Sequence, residues 1–319
     1  MCIALDVTRN SSIWRGWEAR FSAMEHDYDE FSLLHENASE VELALEVLPP
    51  VKRVFVEVDG GRRLGVIVWG ESDPEIVFIH GGAQNAHTWD TVALALGRSA
   101  IAVDLPGHGH SDWREDRSYW PAQNASDIGG VVEKLAPNAR IVVGMSLGGL
   151  TALELCASHP HTVRELVLVD ITPGVNKEKA SAITAFIAGP ESFNSFDELL
   201  ERTILYNPTR SESSLRRGVL HNAAPQGDGT WAWRYDRNHL PEGSELPEFK
   251  DLWDAVDAVG VRLSLFRGSD SPVVDDADVA ELLRRQPNAK VVVVEGAGHS
   301  IQGDQPIELA RLLEELLTD

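Results

Sequence analysis

From Val51 onward, short runs of apolar, mostly β-branched residues alternate with longer stretches in which apolar positions recur at helical spacing. The runs predict strands over 51–58, 63–69, 75–80, 99–104, 139–144, 163–170, 261–266 and 289–295. The later runs are almost uniformly apolar, as strands covered on both faces must be. Between them the spacing predicts helices near 88–97, 122–135, 147–158, 276–285 and 306–317. Strand–helix alternation implies parallel pairing with right-handed crossovers. The expected fold is therefore a doubly wound, mostly parallel eight-stranded α/β sheet.

Two segments break the alternation. Residues 1–50 are acidic and carry Trp14, Trp17, Phe21, Tyr28 and Phe31. That mixture predicts an N-terminal helical extension of one or two amphipathic helices, packed on the body or on another subunit. Its removal is expected to affect stability or assembly rather than chemistry, because every motif lies after Val51. The second break, 172–255, holds Pro173, Pro190, Pro208, Pro225 and Pro241, with Trp231, Trp233 and Tyr235 clustered near its end. An insertion this long is rarely bare loop. It is expected to form a mostly helical cap over a core built from 51–171 and 256–319. No internal repeat or low-complexity tract is present.

The strongest chemical signal is Gly144-Met145-Ser146-Leu147-Gly148, a G-x-S-x-G between an apolar strand and a helix pattern. A serine on such a turn holds its hydroxyl clear of the backbone, and the flanking glycines remove crowding that a Cβ would cause. The helix start places the Leu147 amide where an oxyanion forms. Two further Gly-rich segments follow strands: FIHGGAQNAHTWD (78–90) and VEGAGHSIQGDQP (294–306). A fourth, DLPGHGHSD (104–112), offers a rival reading. His108, His110 and Asp112 have the H-x-H-x-D spacing of binuclear zinc hydrolases. That motif normally continues with another histidine, where Trp113 stands, so no metal is expected.

These segments resemble the α/β-hydrolase superfamily from roughly Val51 to Thr318. The resemblance implies that Gly82 supplies the second oxyanion amide and that His299 is the general base; His80 reads as a structural loop histidine. It also implies an acid after one of two strands. The commoner family position, G-x-x-D, falls in Gly268-Ser269-Asp270, where Asp270 comes one residue early. The other position is held by Asp170 in LVLVDITPG, as in haloalkane dehalogenases and zearalenone-type lactonases. Asp170 is favoured and Asp270 stays open.

A serine nucleophile implies acyl transfer, with carboxylic esters and lactones as default substrates and no cofactor. Trp231, Trp233 and Tyr235 either line an apolar substrate pocket or form cap core. A macrocyclic lactone such as zearalenone is the specific expectation. The alternatives are a carbon–carbon bond hydrolase of meta-cleavage products and a non-catalytic binding protein on a hydrolase scaffold.

Charge and cysteine usage narrow the setting. With 28 basic and 50 acidic residues the net charge is −22, which repels nucleic acid and anionic membranes. Neither is expected as a partner; a small apolar ester or lactone is, and a homo-oligomer is compatible. No apolar run approaches the ~18 residues that span a bilayer. Asp6 and Arg9 interrupt any secretion signal. Cys2 and Cys156 are far apart in sequence, so no disulfide framework is expected and the setting reads as cytoplasmic. Cys156 is expected to be a buried structural thiol.

Overall fold

The computed structural model describes residues 28–237 and 249–318. Cys2, Trp14, Trp17, Phe21, His239 and Pro241 lie outside the described residues, as does any helix before Tyr28. The strands are β1 (Val51–Val58), β2 (Arg62–Trp69), β3 (Ile76–Ile79), β4 (Ala100–Val103), β5 (Ile141–Met145), β6 (Glu165–Val169), β7 (Ser192–Phe193), β8 (Ala223–Pro225), β9 (Trp231–Trp233), β10 (Arg262–Gly268) and β11 (Lys290–Val294). Eight of them form one sheet in the order β1-β2-β4-β3-β5-β6-β10-β11. Strand β2 is antiparallel to both neighbours, and the pairs from β4 to β11 are parallel. All eight strands of the sheet were expected from the apolar runs.

The helices are α1 (Leu34–Glu40), α2 (Asp90–Leu96), α3 (Pro121–Leu135), α4 (Leu147–Ser158), α5 (Ser181–Ile187), α6 (Phe196–Tyr206), α7 (Glu212–Asn222), α8 (Leu252–Asp257), α9 (Asp276–Arg285), α10 (Ile301–Asp304) and α11 (Pro306–Thr318). Strand alternation splits the apolar residues between two cores. Val77 and Ile79 of β3 face a cluster that includes residues of α3 and α4, whereas Ile76 and Phe78 face one that includes α1, α2 and α11. Each fully buried side chain of this kind contributes roughly 1.5–3 kcal/mol, which is why both faces must be covered. Cys156 is buried in the first cluster, and burial pushes its thiol up to about 11. No helix among the described residues is long and apolar enough to cross a membrane.

The insertion, expected to be mostly helical, also contains short strands. Besides α5, α6 and α7 it carries a three-stranded antiparallel sheet, β7-β9-β8, whose strands are too short to show a period-2 pattern. It has its own apolar cluster, built on Phe193, Leu199, Leu215, Val219 and Trp233. Polar links tie it to the body: Lys179 Nζ to Asp278 at 2.6 Å, Tyr119 Oη to Asp236 at 2.7 Å, and Asn222 Nδ2 to the Ala83 carbonyl at 2.7 Å.

The described part of the N-terminal segment packs on the body. Leu34 and Ala38 of α1 are buried, and Phe31, Leu43, Leu45 and Leu48 pack against the same core. Glu30 reaches further in. It accepts from Arg53 and His87, while Arg53 also donates to the buried Asp104 at 2.7 Å.

Candidate active site

The parallel strands end on one edge of the sheet, where open α/β sheets bind ligands. Ser146 follows β5 and precedes α4, with φ 52° and ψ −121°. A positive φ is strained for a residue with a Cβ and persists only where the surroundings enforce it. Here the enforcement is steric and local. A Cβ on Gly144 would lie 2.4 Å from the Gly148 carbonyl oxygen, and one on Gly148 would lie 2.3 Å from that of Ile79. Only glycine allows strand, turn and helix to close this tightly.

Backbone hydrogen bonds step from strand to strand across the site. The Ser146 amide donates to Val169 O at 3.3 Å, and the Asp170 amide donates to Phe266 O at 2.7 Å. Asp170 follows β6, is fully buried and has φ 49°. Its carboxylate accepts from the Gly268 amide at 3.0 Å, from Ser271 Oγ, and from His299 Nδ1 at 2.7 Å. A carboxylate only accepts in such a pair, so the proton sits on Nδ1. His299 Nε2 is buried and has no partner among the described residues. Gly268 also lets the His299 loop approach, since a Cβ there would lie 2.4 Å from the carbonyl oxygens of Ala297 and Gly298.

Asp270 stands elsewhere. Its side chain is exposed and accepts from Ser269 Oγ at 3.2 Å. Its amide donates to Ala297 O, which directs the chain past the site. The loop that could have carried the acid instead supplies Gly268 and Ser271 as donors to Asp170. Ser271 has no sequence signal beyond being a small hydroxyl residue in that loop.

The loop after β3 presents amides in a fixed order. Gly81 N donates to Gln84 Oε1 at 3.1 Å and Ala83 N to His108 Nε2 at 3.2 Å. The Gly82 amide between them donates to no described residue, and a Cβ on Gly82 would lie 3.9 Å from Leu147 Cδ2. Leu147 opens α4, so its amide has no intrahelical acceptor. His80 is fully buried, and burial with nearby His108 pushes it down to about 3. Neutral, it accepts from Leu105 N through Nε2 at 2.9 Å, which fixes the loops after β3 and β4 together.

His108, His110 and Asp112 do not converge. His108 holds Ala83 N, His110 lies beside Asp104, and Asp112 accepts from Arg63 N. The rival zinc spacing therefore has no shared centre.

A cavity of about 690 Å³ opens over the site. The body contributes Gly82, Ser146 and His299; the insertion contributes Ile183, Phe186, Tyr206, Arg210 and Trp233. Of the three expected cap aromatics, only Trp233 reaches it. Trp231 packs on Phe196 at 5.2 Å, and Tyr235 is sandwiched between Trp233 and His108. Those two rings are used up in packing the insertion on itself and on the body. Asn37, Glu40 and Val41 also line the cavity, so the N-terminal segment helps to wall the site, a role its sequence did not reveal.

Known proteins resemble this arrangement. Residues 76–312 match the alpha/beta hydrolase family. The esterase Rv0045c of Mycobacterium tuberculosis is 46% identical over 296 residues, spanning 91% of this chain and 96% of that protein. A refined structure of that esterase, described together with its inhibition by transition metals, superposes with a TM-score of 0.82 at 45% identity, covering 92% of this chain and 100% of that one. The sn-1-specific diacylglycerol lipase ABHD11 of Mus musculus is 30% identical over 249 residues, 73% of this chain and 77% of the lipase. The structure of E-2-(acetamidomethylene)succinate hydrolase covers 84% of this chain and 100% of its own, with a TM-score of 0.72 at 26% identity. With the sheet order, the turn at Ser146 and these matches together, the chain belongs to the alpha/beta hydrolase family and is an enzyme of it.

Proposed function

We propose that the chain hydrolyses carboxylic esters through an acyl-enzyme on Ser146, with His299 as general base, Asp170 as its partner acid, and the Gly82 and Leu147 amides as oxyanion donors. The similarity to a named esterase supports the reaction class. The observation that carries the residue roles is the state of His299. Its Nδ1 is committed to Asp170 while its Nε2 is idle, on the cavity wall that it shares with Ser146.

The steps follow from that geometry. Ser146 Oγ bonds to the carbonyl carbon as its proton passes to His299 Nε2, and the carbonyl electrons move onto oxygen. Two preorganised amides meet the new oxyanion; loss of one such donor typically costs ~10²–10³ in rate. Collapse expels the alcohol, which takes the proton from the imidazolium. Water then repeats the sequence on the acyl-enzyme and releases the acid. Asp170 stays ionised and supports the imidazolium throughout.

The segment 172–255 acts in this reading as a cap. A cavity of this size falls within the ~300–1,000 Å³ usual for small-molecule sites. Its apolar wall of Ile183, Ile187, Phe186 and Trp233 suits an apolar ester. A lactone, including a macrocycle such as zearalenone, is the finer reading and rests on that volume and wall. The test is a panel of aryl esters and macrolactones assayed with the native enzyme and Ser146→Ala. Ester turnover that vanishes in Ser146→Ala is expected. Turnover of esters without ring opening removes the lactone reading alone, and turnover of neither removes both.

A further inference from the structure

We propose that His108 and Asn222 are positioning residues for the oxyanion site. Together they clamp Ala83 in a left-handed backbone conformation that sets the neighbouring Gly82 amide, so the site is complete only when α7 of the insertion is docked on the loop after β3. The proposal rests on the reading of Gly82 as an oxyanion donor.

Ala83 has φ 60°. It is the third residue of the turn Gly81–Gln84, which the Gln84 amide closes by donating to Gly81 O at 3.2 Å. Glycine or asparagine usually stands where a turn needs a positive φ, because a Cβ is disfavoured there by roughly 1–2 kcal/mol. Ala83 is held in this state from three sides. Its amide donates to His108 Nε2 at 3.2 Å, and its carbonyl accepts from Asn222 Nδ2 at 2.7 Å. Its methyl packs against the apolar cluster of the insertion, a contact that glycine could not make.

Both clamping side chains are themselves fixed. His108 Nδ1 donates to the Pro106 carbonyl at 3.0 Å, so Nε2 carries the lone pair that receives the Ala83 amide. The ring is buried and stacked on Tyr235, and burial pushes its pKa down, which keeps it neutral. A carbonyl only accepts, so Asn222 must turn Nδ2 towards Ala83. Its Oδ1 then accepts from Asn85 Nδ2 at 3.2 Å, and Asn85 Oδ1 accepts from the His87 amide at 2.9 Å. One amide side chain at the end of α7 thus grips the loop at Ala83 and again at Asn85.

Gly82 needs this help. It has no Cβ to restrict its backbone, and its amide donates to no described residue. Its direction is therefore set by its neighbours, Gly81 held by Gln84 and Ala83 held by the clamp. Oxyanion donors work because they are already aimed at charge that appears only in the transition state. A misplacement of about 1 Å can cost on the order of 10² in rate. Without the clamp, Ala83 relaxes to a negative φ, which turns the Gly82–Ala83 peptide and shifts the Gly82 amide. The apolar wall of the cavity is untouched, so the loss falls on the transition state and not on substrate binding.

The experiment compares native protein with Asn222→Leu, His108→Leu and His108→Gln, using aryl-ester kinetics and inhibition by phenylboronic acid, whose adduct with Ser146 places an oxygen in the oxyanion site. Asn222→Leu and His108→Leu are expected to lower kcat by about 10- to 100-fold with KM within about threefold, and to weaken the boronic acid by the same factor as kcat/KM. His108→Gln keeps an acceptor for the Ala83 amide and is expected to recover part of the loss. Lower melting temperatures with kcat and boronic acid inhibition unchanged would mean that the two residues only brace the fold, and would overturn the proposal. So would a rise in KM at constant kcat. Native protein that the boronic acid does not inhibit contradicts the oxyanion reading as well, whereas native inhibition that both leucine variants retain contradicts the clamp alone. Thermal melting checks folding; if Asn222→Leu does not fold, Asn222→Ala replaces it with the same expectations, and if neither folds the two His108 variants decide.

Discussion

His299 Nδ1 lies 2.7 Å from Asp170 Oδ2, although 129 positions separate the two residues in the chain. This contact joins the ends of β6 and β11 across β10, and of the two aspartates that the sequence offered as acid it is Asp170 that makes it. Asp170→Asn keeps the shape but removes the charge that supports an imidazolium. It is expected to lower kcat by up to ~10⁴, the loss seen for the equivalent change in a well-studied protease triad. Asp270→Asn, at an exposed side chain, is expected to leave kcat/KM within about threefold, an effect of about 0.6 kcal/mol. Steady-state kinetics on one aryl ester compares them; a collapse in Asp270→Asn alone would reverse the assignment.

Ser271 and Gly268 both donate to Asp170. Ser271→Ala removes a hydrogen bond to a charged group, worth about 1.5–3 kcal/mol. If that bond positions the acid, the loss falls on kcat, by roughly 10- to 100-fold, with KM little changed. An increase in KM at constant kcat would instead mean that Ser271 acts on substrate binding.

Gly268→Ala probes the close approach of the His299 loop. The added Cβ would meet two carbonyl oxygens at 2.4 Å, so the loop must move. The expected result is destabilisation of about 1–3 kcal/mol together with a large loss of kcat. Chemical denaturation and kinetics read the two effects separately. Native-like stability and activity would mean that the loop yields without cost.

Acid stability should depend on Glu30. Burial raises its pKa, but hydrogen bonds from His87 and Arg53 and the Arg53 charge outweigh this and hold it near about 2, below the ordinary 4.5. A depressed carboxylate stabilises the fold above its ordinary pKa, and that contribution is lost as the pH falls from 4.5 through 2. The full shift corresponds to on the order of 3 kcal/mol. Glu30→Gln should therefore be less stable than the native protein at pH 6, with the gap closing towards pH 2. Denaturation at several pH values measures it, and a constant gap would contradict the linkage.

The sheet was legible because β-branched apolar runs report strands buried on both faces, and Ser146 was legible because its turn is specified by a five-residue motif. Other features depend on contacts that no local pattern encodes. Asp170 and Asp270 both follow strands; only the backbone turn at Asp170 and the bond of the Asp270 amide to Ala297 O send one inward and the other out. Trp231, Trp233 and Tyr235 are alike in sequence, yet their neighbours Phe196 and His108 decide which ring reaches the cavity. The network of Glu30, Arg53, Asp104 and His87 joins four elements through charge pairs, and its members read singly as ordinary polar residues.

The central claim is that Ser146 is the nucleophile, and covalent labelling tests it most directly. The protein is treated with an aryl fluorophosphonate, digested and mapped by mass spectrometry, beside an untreated sample and the His299→Ala variant. The account predicts one phosphonyl group per chain on Ser146, with labelling slowed by orders of magnitude when His299 is replaced. An unlabelled Ser146 in folded protein that still hydrolyses esters, or label on another residue with matching loss of activity, would contradict it.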